Sequence, residues 1–232
     1  MKQFVVREHE IEPVPGLPGT LPAGERILWQ GRPSARLVAR HSLKNIYLAA
    51  YFVILAVWAI AAGLSDGQPV GGILFAVAVL TAIGALLIGL VELFAWGVER
   101  TTLYTITSER LVMRFGVALS MTLNLPYRRI NAVSMAPRGK RGGTIAIALL
   151  PGHRLSWLVQ WPHVRGWRFS EPQPALICLD DAAGVAEILA RAVIAWRNSP
   201  AGAHGKTGVA RPLEPVIDAP DYLPGGHAAA AE

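Results

Sequence analysis

Ile46–Leu64 reads IYLAAYFVILAVWAIAAGL and contains no charged residue, and Gly71–Val98 reads GGILFAVAVLTAIGALLIGLVELFAWGV, interrupted only by Glu92. A helix rises about 1.5 Å per residue and a bilayer's hydrocarbon core is about 30 Å thick, so the first stretch just spans and the second spans with residues to spare. In lipid every backbone amide must be satisfied within its own segment, so both stretches are expected to be helices. The competing reading is a buried helical pair of a soluble protein. Ser65-Asp66-Gly67-Gln68-Pro69-Val70 joins the two stretches without a Lys or Arg, which predicts a tight hairpin. Arg26, Arg32, Arg36, Arg40 and Lys44 precede it, and Arg100, Arg110 and Arg114 follow it. The positive-inside rule then places both flanks on the cytoplasmic side. The first stretch is not expected to be a signal peptide, because it lacks a small-residue cleavage pattern and a second span follows at once.

Outside the spans the chain is basic: the formal net charge is +6 over 232 residues, with 52% hydrophobic residues. A basic part beside a membrane points to anionic headgroups or acidic partner loops. Nucleic acid is not expected, since there are no RNP-like aromatics, no helix-turn-helix pattern and no zinc spacing. The single cysteine, Cys178, excludes an internal disulfide and reads as a small core residue in an apolar run.

Residues 1 to about 20 hold VPGLPG and read as a loose arm. Leu21–Pro33 reads as a turn and a short extended segment. Residues 34–45 read as a basic amphipathic helix resting in the interface, with Arg36, Arg40 and Lys44 reaching headgroups. After residue 99 the texture changes to strands. Alternation and turn residues predict strands over Thr101–Thr107, Leu111–Phe115, Val117–Leu125, Ile130–Met135, Thr144–Leu150, Leu155–Gln160 and Ala175–Leu179. Asp180 or Asp181 then caps an amphipathic helix over Ala182–Arg197. This order predicts a two-helix transmembrane hairpin followed by a pleckstrin-homology-like (PH-like) antiparallel β-barrel, capped by a C-terminal helix. The expected organisation is an arm and interfacial segment (1–45), a hairpin (46–98), a PH-like domain (99–198) and a disordered tail (199–232).

No catalytic constellation stands out, so an enzyme is not expected. There is no GxSxG, phosphate loop or dinucleotide fingerprint, and no histidine pair has metal-ligand spacing. Arg138, Lys140 and Arg141 lie in a glycine-rich basic turn. They read either as a solvated hairpin turn near headgroups or as a phosphate cradle. His163, among Trp157, Trp161 and Trp167, reads as a packed structural residue or as a chlorophyll ligand. In the second span Ala78, Ala82, Ala85, Gly89 and Glu92 recur at helical spacing and form a small-residue stripe ending in a carboxylate. Small residues let membrane helices approach closely. The first span has a comparable stripe, Ala49, Ala56, Ala59 and Gly63. Either the two stripes close the hairpin or one is kept for a partner helix. A carboxylate within the membrane costs about 2.5–3.5 kcal/mol at a helix centre, so Glu92 is expected to face a partner.

Tyr104–Gly116, YTITSERLVMRFG, resembles the first hairpin of bacterial PH domains. A second resemblance covers most of the chain. LPAGERILWQGRP at 21–33, the hairpin, GVAL at 116–119, NLP at 124–126, WPHVRGWR at 161–168 and PQP at 172–174 resemble the PuhB-type photosynthetic complex assembly proteins of purple bacteria. That family pattern has proline after the arginine of the WPH motif, where this chain has Gly166. The resemblance implies a multi-pass protein of the bacterial inner, photosynthetic intracytoplasmic membrane with both termini cytoplasmic. It implies an assembly factor for the reaction centre and its core light-harvesting complex, acting by protein contacts without a cofactor of its own; bacteriochlorophyll handling stays open, with only the alternative reading of His163 behind it. Expected partners are reaction-centre and core-antenna subunits, anionic headgroups and a second copy of the chain. Partner-contact candidates are the Ala78–Glu92 stripe with Trp161, His163, Arg165 and Trp167. The alternative is a lipid-sensing or generic membrane scaffold.

Overall fold

The computed structural model describes residues 16–17, 19–138, 142–150, 156–166, 169, 171–200 and 216–217. The chain starts with strand β1 (Ile27–Gly31), then a short helix α1 (Ala35–Leu37) that runs into a π-helical turn at Val38–Ser42. Two long helices follow, α2 (Asn45–Ser65) and α3 (Val70–Thr101), of 21 and 32 residues. Both are long and apolar enough to cross a membrane, and only 6% and 11% of their most apolar windows is buried. Most of their surface is therefore exposed and not packed into a core of this chain.

The hairpin keeps one antiparallel register along its length. Asn45 meets Glu92, Phe52 lies against Gly84, and Ile73 lies against Gly63. A Cβ at Gly84 would stand 2.8 Å from Phe52 Cγ, and one at Gly63 2.7 Å from Ile73 Cγ1. Both glycines are thus required by close approach. The face of α3 that packs here carries Ile73, Val77, Leu80, Gly84, Ile88 and Val91, which are buried or half-buried. Between Ile46–Leu64 on α2 and Val70–Val91 on α3 the apolar zone is about 30 Å deep. The surplus of α3 beyond Glu92 continues as a stalk under the sheets.

Seven of the strands form two antiparallel sheets. The first has order β1-β2-β3-β4, with β2 (Leu103–Thr107), β3 (Arg110–Phe115) and β4 (Met121–Pro126). The second has order β7-β6-β5-β8, with β5 (Ile130–Arg138), β6 (Gly142–Leu149) and β7 (Ala175–Leu179). Its edge is β8 (Val216–Ile217), which runs parallel to β5 and lies inside the stretch expected to be a disordered tail. A short helix α4 (Trp157–Gln160) precedes β7, and helix α5 (Ala182–Asn198) follows it. Alternating strand residues Tyr104, Ile106, Leu111, Met113, Ile145, Ile147 and Leu176 meet Val185, Leu189 and Val193 of α5 in one core.

The sheets do not close into the expected barrel. Pro126 ends β4 and has no N–H for a further ladder bond. A 3-10 turn at Tyr127–Arg129 then carries the chain to the second sheet. At the other seam Ser34 N–H donates to Cys178 O at 2.9 Å, but Pro33 cannot extend that pairing. Cys178 itself has φ of 50°, which turns β7 out of register. The gap is covered by α5, which is capped as expected: Gly184 N–H donates to Asp181 Oδ1 at 3.2 Å.

Three element expectations change. The described part of Leu155–Gln160 is helical, not a strand. The third strand starts at Met121 because residues 117–120 form a loop. A Cβ at Gly116 (φ of 128°) would stand 1.9 Å from Leu119 O, so this loop demands glycine. The segment at 34–45 does not rest its apolar face on lipid. Val38 and Ala39 are buried against Ala95 and Val98 of α3 and Ala146, Ala175 and Ile177 of the second sheet. Protein covers that face, so the segment is a wedge between stalk and sheet.

Candidate functional site

The two motifs at 161–165 and 172–174 are one structure. Val164 bridges Pro174, Arg165 N–H donates to Gln173 O at 2.9 Å, and Ala175 N–H donates to His163 O at 3.0 Å. The loop thereby extends β7, and Arg165 Nη1 reaches Ser134 Oγ and Gln173 Oε1 at 3.4 Å each.

His163 is 2% exposed and packs against Phe115, with ring centroids 4.7 Å apart. Ile177 N–H donates to Tyr104 Oη (3.3 Å), and the same hydroxyl is hydrogen-bonded to His163 Nδ1 (2.7 Å). His163 Nε2 is hydrogen-bonded to Thr102 Oγ1 at 3.3 Å. Burial lowers the pKa of His163 to about 3 and raises that of Tyr104, so both groups are neutral at physiological pH. Both ring nitrogens are used inside the protein, so His163 has none left for a chlorophyll magnesium. It is the post that fixes the 156–166 loop to the top of α3 and to β2. Tyr104 and Thr102 were legible only as strand residues; that they are the histidine's partners depends on long-range folding.

Beside this post lies a cavity of about 390 Å³. Trp157, Trp161 and Phe169 form its aromatic wall, and His41, Lys44, Arg138 and Arg165 its polar side. Trp157 and Phe169 rings are 4.9 Å apart. Burial, then the charges of Arg138, Lys44 and Arg40, push the pKa of His41 down; the positive charges converge there. Lys44 joins the π-helical turn to α2 with φ of 58°, a left-handed conformation uncommon for a side-chain-bearing residue. Its ammonium sits 5.7 Å from the Tyr47 ring centroid. Of the headgroup candidates, Arg40, Lys44 and Arg138 thus gather at one place, while Arg36 is exposed on α1. Lys140, Arg141 and Trp167 lie outside the described residues.

The small-residue stripe of the second span does not close the hairpin. Ala78, Ala82, Ala85, Gly89 and Glu92 are all exposed, and a Cβ at Gly89 would meet nothing within 4 Å. The packing face is the adjacent row through Gly84. The first-span stripe does face α3: Gly63 is buried and Ala49, Ala56 and Ala59 are half-buried. Glu92 accepts from Asn45 Nδ2 at 2.5 Å, a polar pair that marks the end of the apolar zone. Glu92 has its partner within the chain.

A third constellation ties the N-terminal segment to the first sheet. Glu25, with a side chain 3% exposed, takes both Nε and Nη2 of Arg110 at 2.9 Å, and Thr107 Oγ1 lies 2.7 Å from it. GER at 24–26 and SER at 108–110 therefore belong to one buried ion pair, and β1 is held as a strand of the PH-like sheet.

The bacterial PH domain family matches residues 43–193, well over half of the chain. The chain belongs to that family, and β1 with its Glu25 anchor lies ahead of the matched region. Over 199 residues the chain is 38% identical to an uncharacterized 23.7 kDa protein of Rhodobacter capsulatus encoded in the region 5′ of puhA, covering 83% of this chain and 91% of that one. This agrees with the PuhB-type resemblance of the sequence motifs. No solved structure matches the chain.

Proposed function

We propose that this chain is a membrane-bound assembly factor for the photosynthetic reaction centre and its core light-harvesting complex, acting through protein contacts and not through catalysis. The carrying observation is the 38% identity, over most of both chains, to a protein encoded beside puhA, in a photosynthesis gene region. The hairpin supports a membrane location: Tyr47, Trp58, Phe75 and Leu86 are each more than 60% exposed, and apolar surface of this extent needs lipid or partner helices to cover it. In this reading α2 and α3 cross the inner membrane. The turn at Asp66 lies outside, and both termini and the PH-like sheets lie in the cytoplasm.

The exposed stripe Ala78–Glu92 is the face offered to a client helix, and a second copy of the chain is the competing occupant. Deleting the gene should lower core-complex absorbance in growing cells while pigment synthesis continues. Affinity purification from those membranes should recover reaction-centre or core-antenna subunits. Normal core-complex absorbance at every stage of growth would rule the assembly role out.

A further inference from the structure

Two loops far apart in sequence touch the α3 stalk within one helical turn of each other. The Trp161 ring stacks on Phe94 at 5.7 Å. Val117 approaches Gly97 closely enough that a Cβ there would lie 3.3 Å from its Cγ1. The Asn45–Glu92 pair lies half a turn below Phe94. All three features sit where the 30 Å apolar zone of the hairpin ends. At this level the sheet domain shows exposed apolar side chains: Leu119 is 83% exposed, Leu158 77%, Phe169 59% and Trp161 45%.

The cavity opens in this band, and the charged residues among its described lining are basic. No described lining residue is acidic. Trp157 Nε1–H is buried without an acceptor among the described residues. Arg165 and Arg138 bring guanidinium groups from the loop and from β5, and Lys44 brings an ammonium from the start of α2. The aromatic side of the same cavity is continuous, through Trp161, with Phe94 on the hairpin. A ligand that fits carries an anionic, acceptor-only group at one end and an apolar chain at the other.

We infer that this cavity seats the headgroup of one anionic phospholipid, with its phosphate against Lys44, Arg138 and Trp157 Nε1 and its glycerol and upper acyl chain along Trp161 toward Phe94. The site is built by the wedge before the hairpin, the 156–166 loop and β5 together, so it exists only when hairpin and sheets are joined. It does not depend on which client the protein serves.

Full-length protein in a neutral detergent can be titrated by calorimetry with dihexanoyl phosphatidylglycerol, dihexanoyl phosphatidylcholine and inorganic phosphate. Phosphatidylglycerol should bind with one site per chain and at least tenfold more tightly than either comparator. Lys44→Gln/Arg138→Gln should weaken it at least tenfold. Arg128→Gln/Arg191→Gln, which removes the same charge from exposed positions off the cavity, should leave it within twofold. Should the first double variant melt lower than the parent, Arg138→Gln alone carries the comparison, with a loss of at least threefold expected. Equal binding of the neutral lipid, inorganic phosphate binding as tightly as the lipid, or equal loss in both double variants would each overturn the assignment.

Discussion

Gly84 and Gly89 are five residues apart on α3, yet they predict opposite outcomes when enlarged. At Gly84 even a methyl group would stand 2.8 Å from Phe52 Cγ, 3.1 Å from its Cδ1 and 3.2 Å from its Cβ. Cβ and Cγ lie on the axis of ring rotation, so turning the ring does not clear them and the two helices must separate. Overpacking of this kind costs about 1–3 kcal/mol, or roughly five- to 150-fold in the equilibrium between closed and open hairpin. Gly84→Leu should therefore accumulate poorly in membranes and melt earlier in detergent. At Gly89 an added Cβ meets nothing within 4 Å, so Gly89→Leu should match the parent in amount and in melting temperature. If the stripe holds a client helix, the same Gly89→Leu protein should lose its co-purifying subunit, while Leu93→Ala should keep it. The comparison needs membrane-fraction immunoblots, detergent melting curves and affinity recovery from the same cells. A Gly84→Leu protein as stable as the parent would refute the Phe52–Gly84 packing, and an unstable Gly89→Leu protein would refute the outward placement of the stripe.

The His163 pKa of about 3 lies below its unfolded value near 6.5, so the unfolded chain binds the extra proton first. The stability contributed is complete above about pH 6.5 and is lost as pH falls toward 3, by about 2 kcal/mol at pH 5; a flat melting profile between pH 7 and 5 would count against the buried neutral ring, and His163→Gln should flatten it. Tyr104→Phe leaves His163 Nδ1 and the Ile177 N–H without their partner and should cost about 1–3 kcal/mol, read as a lower melting temperature with the hairpin intact. Glu25→Gln breaks the two-pronged bond to Arg110 and should cost about 3 kcal/mol, with early proteolysis ahead of β1 as the visible sign. In a Cys178→Ser background, a cysteine at Asp66 should react with an impermeant label on intact spheroplasts while cysteines at Arg110 or Arg191 should not; the reverse pattern would invert the membrane orientation.

The hairpin, most strands of the sheets and the capped helix α5 were legible because each rests on a local signal: unbroken apolar length, alternation, or Asp181 ahead of an amphipathic run. The end of the barrel expectation came from Pro126 and Cys178. Both look ordinary in sequence, and their effect depends on which strand would have been the next neighbour. The same holds for the stripes. Ala78–Gly89 and Ile73–Val91 are both plausible seams on one helix, and the choice was made by where Phe52 and Gly63 lie on the opposite helix. The wedge at 34–45 was read as facing lipid because its pattern is that of any amphipathic helix; only tertiary structure shows that sheet and stalk cover it. Arg165 and His163 were legible as unusual, but not that one lines a cavity and the other is a post.

Only Thr102 separates the end of α3 from the start of β2, and its hydroxyl is bound to the His163 ring. The joint between stalk and sheet therefore has no slack. A helix longer than the local hydrocarbon thickness responds by tilting, and here the tilt must carry the whole sheet domain with it, as a rudder follows its shaft. If the hairpin spans a bilayer as proposed, the orientation of the sheet domain is then set by bilayer thickness and by whatever helix leans against α3, so a neighbour docking within the membrane would be registered outside it as a change of angle.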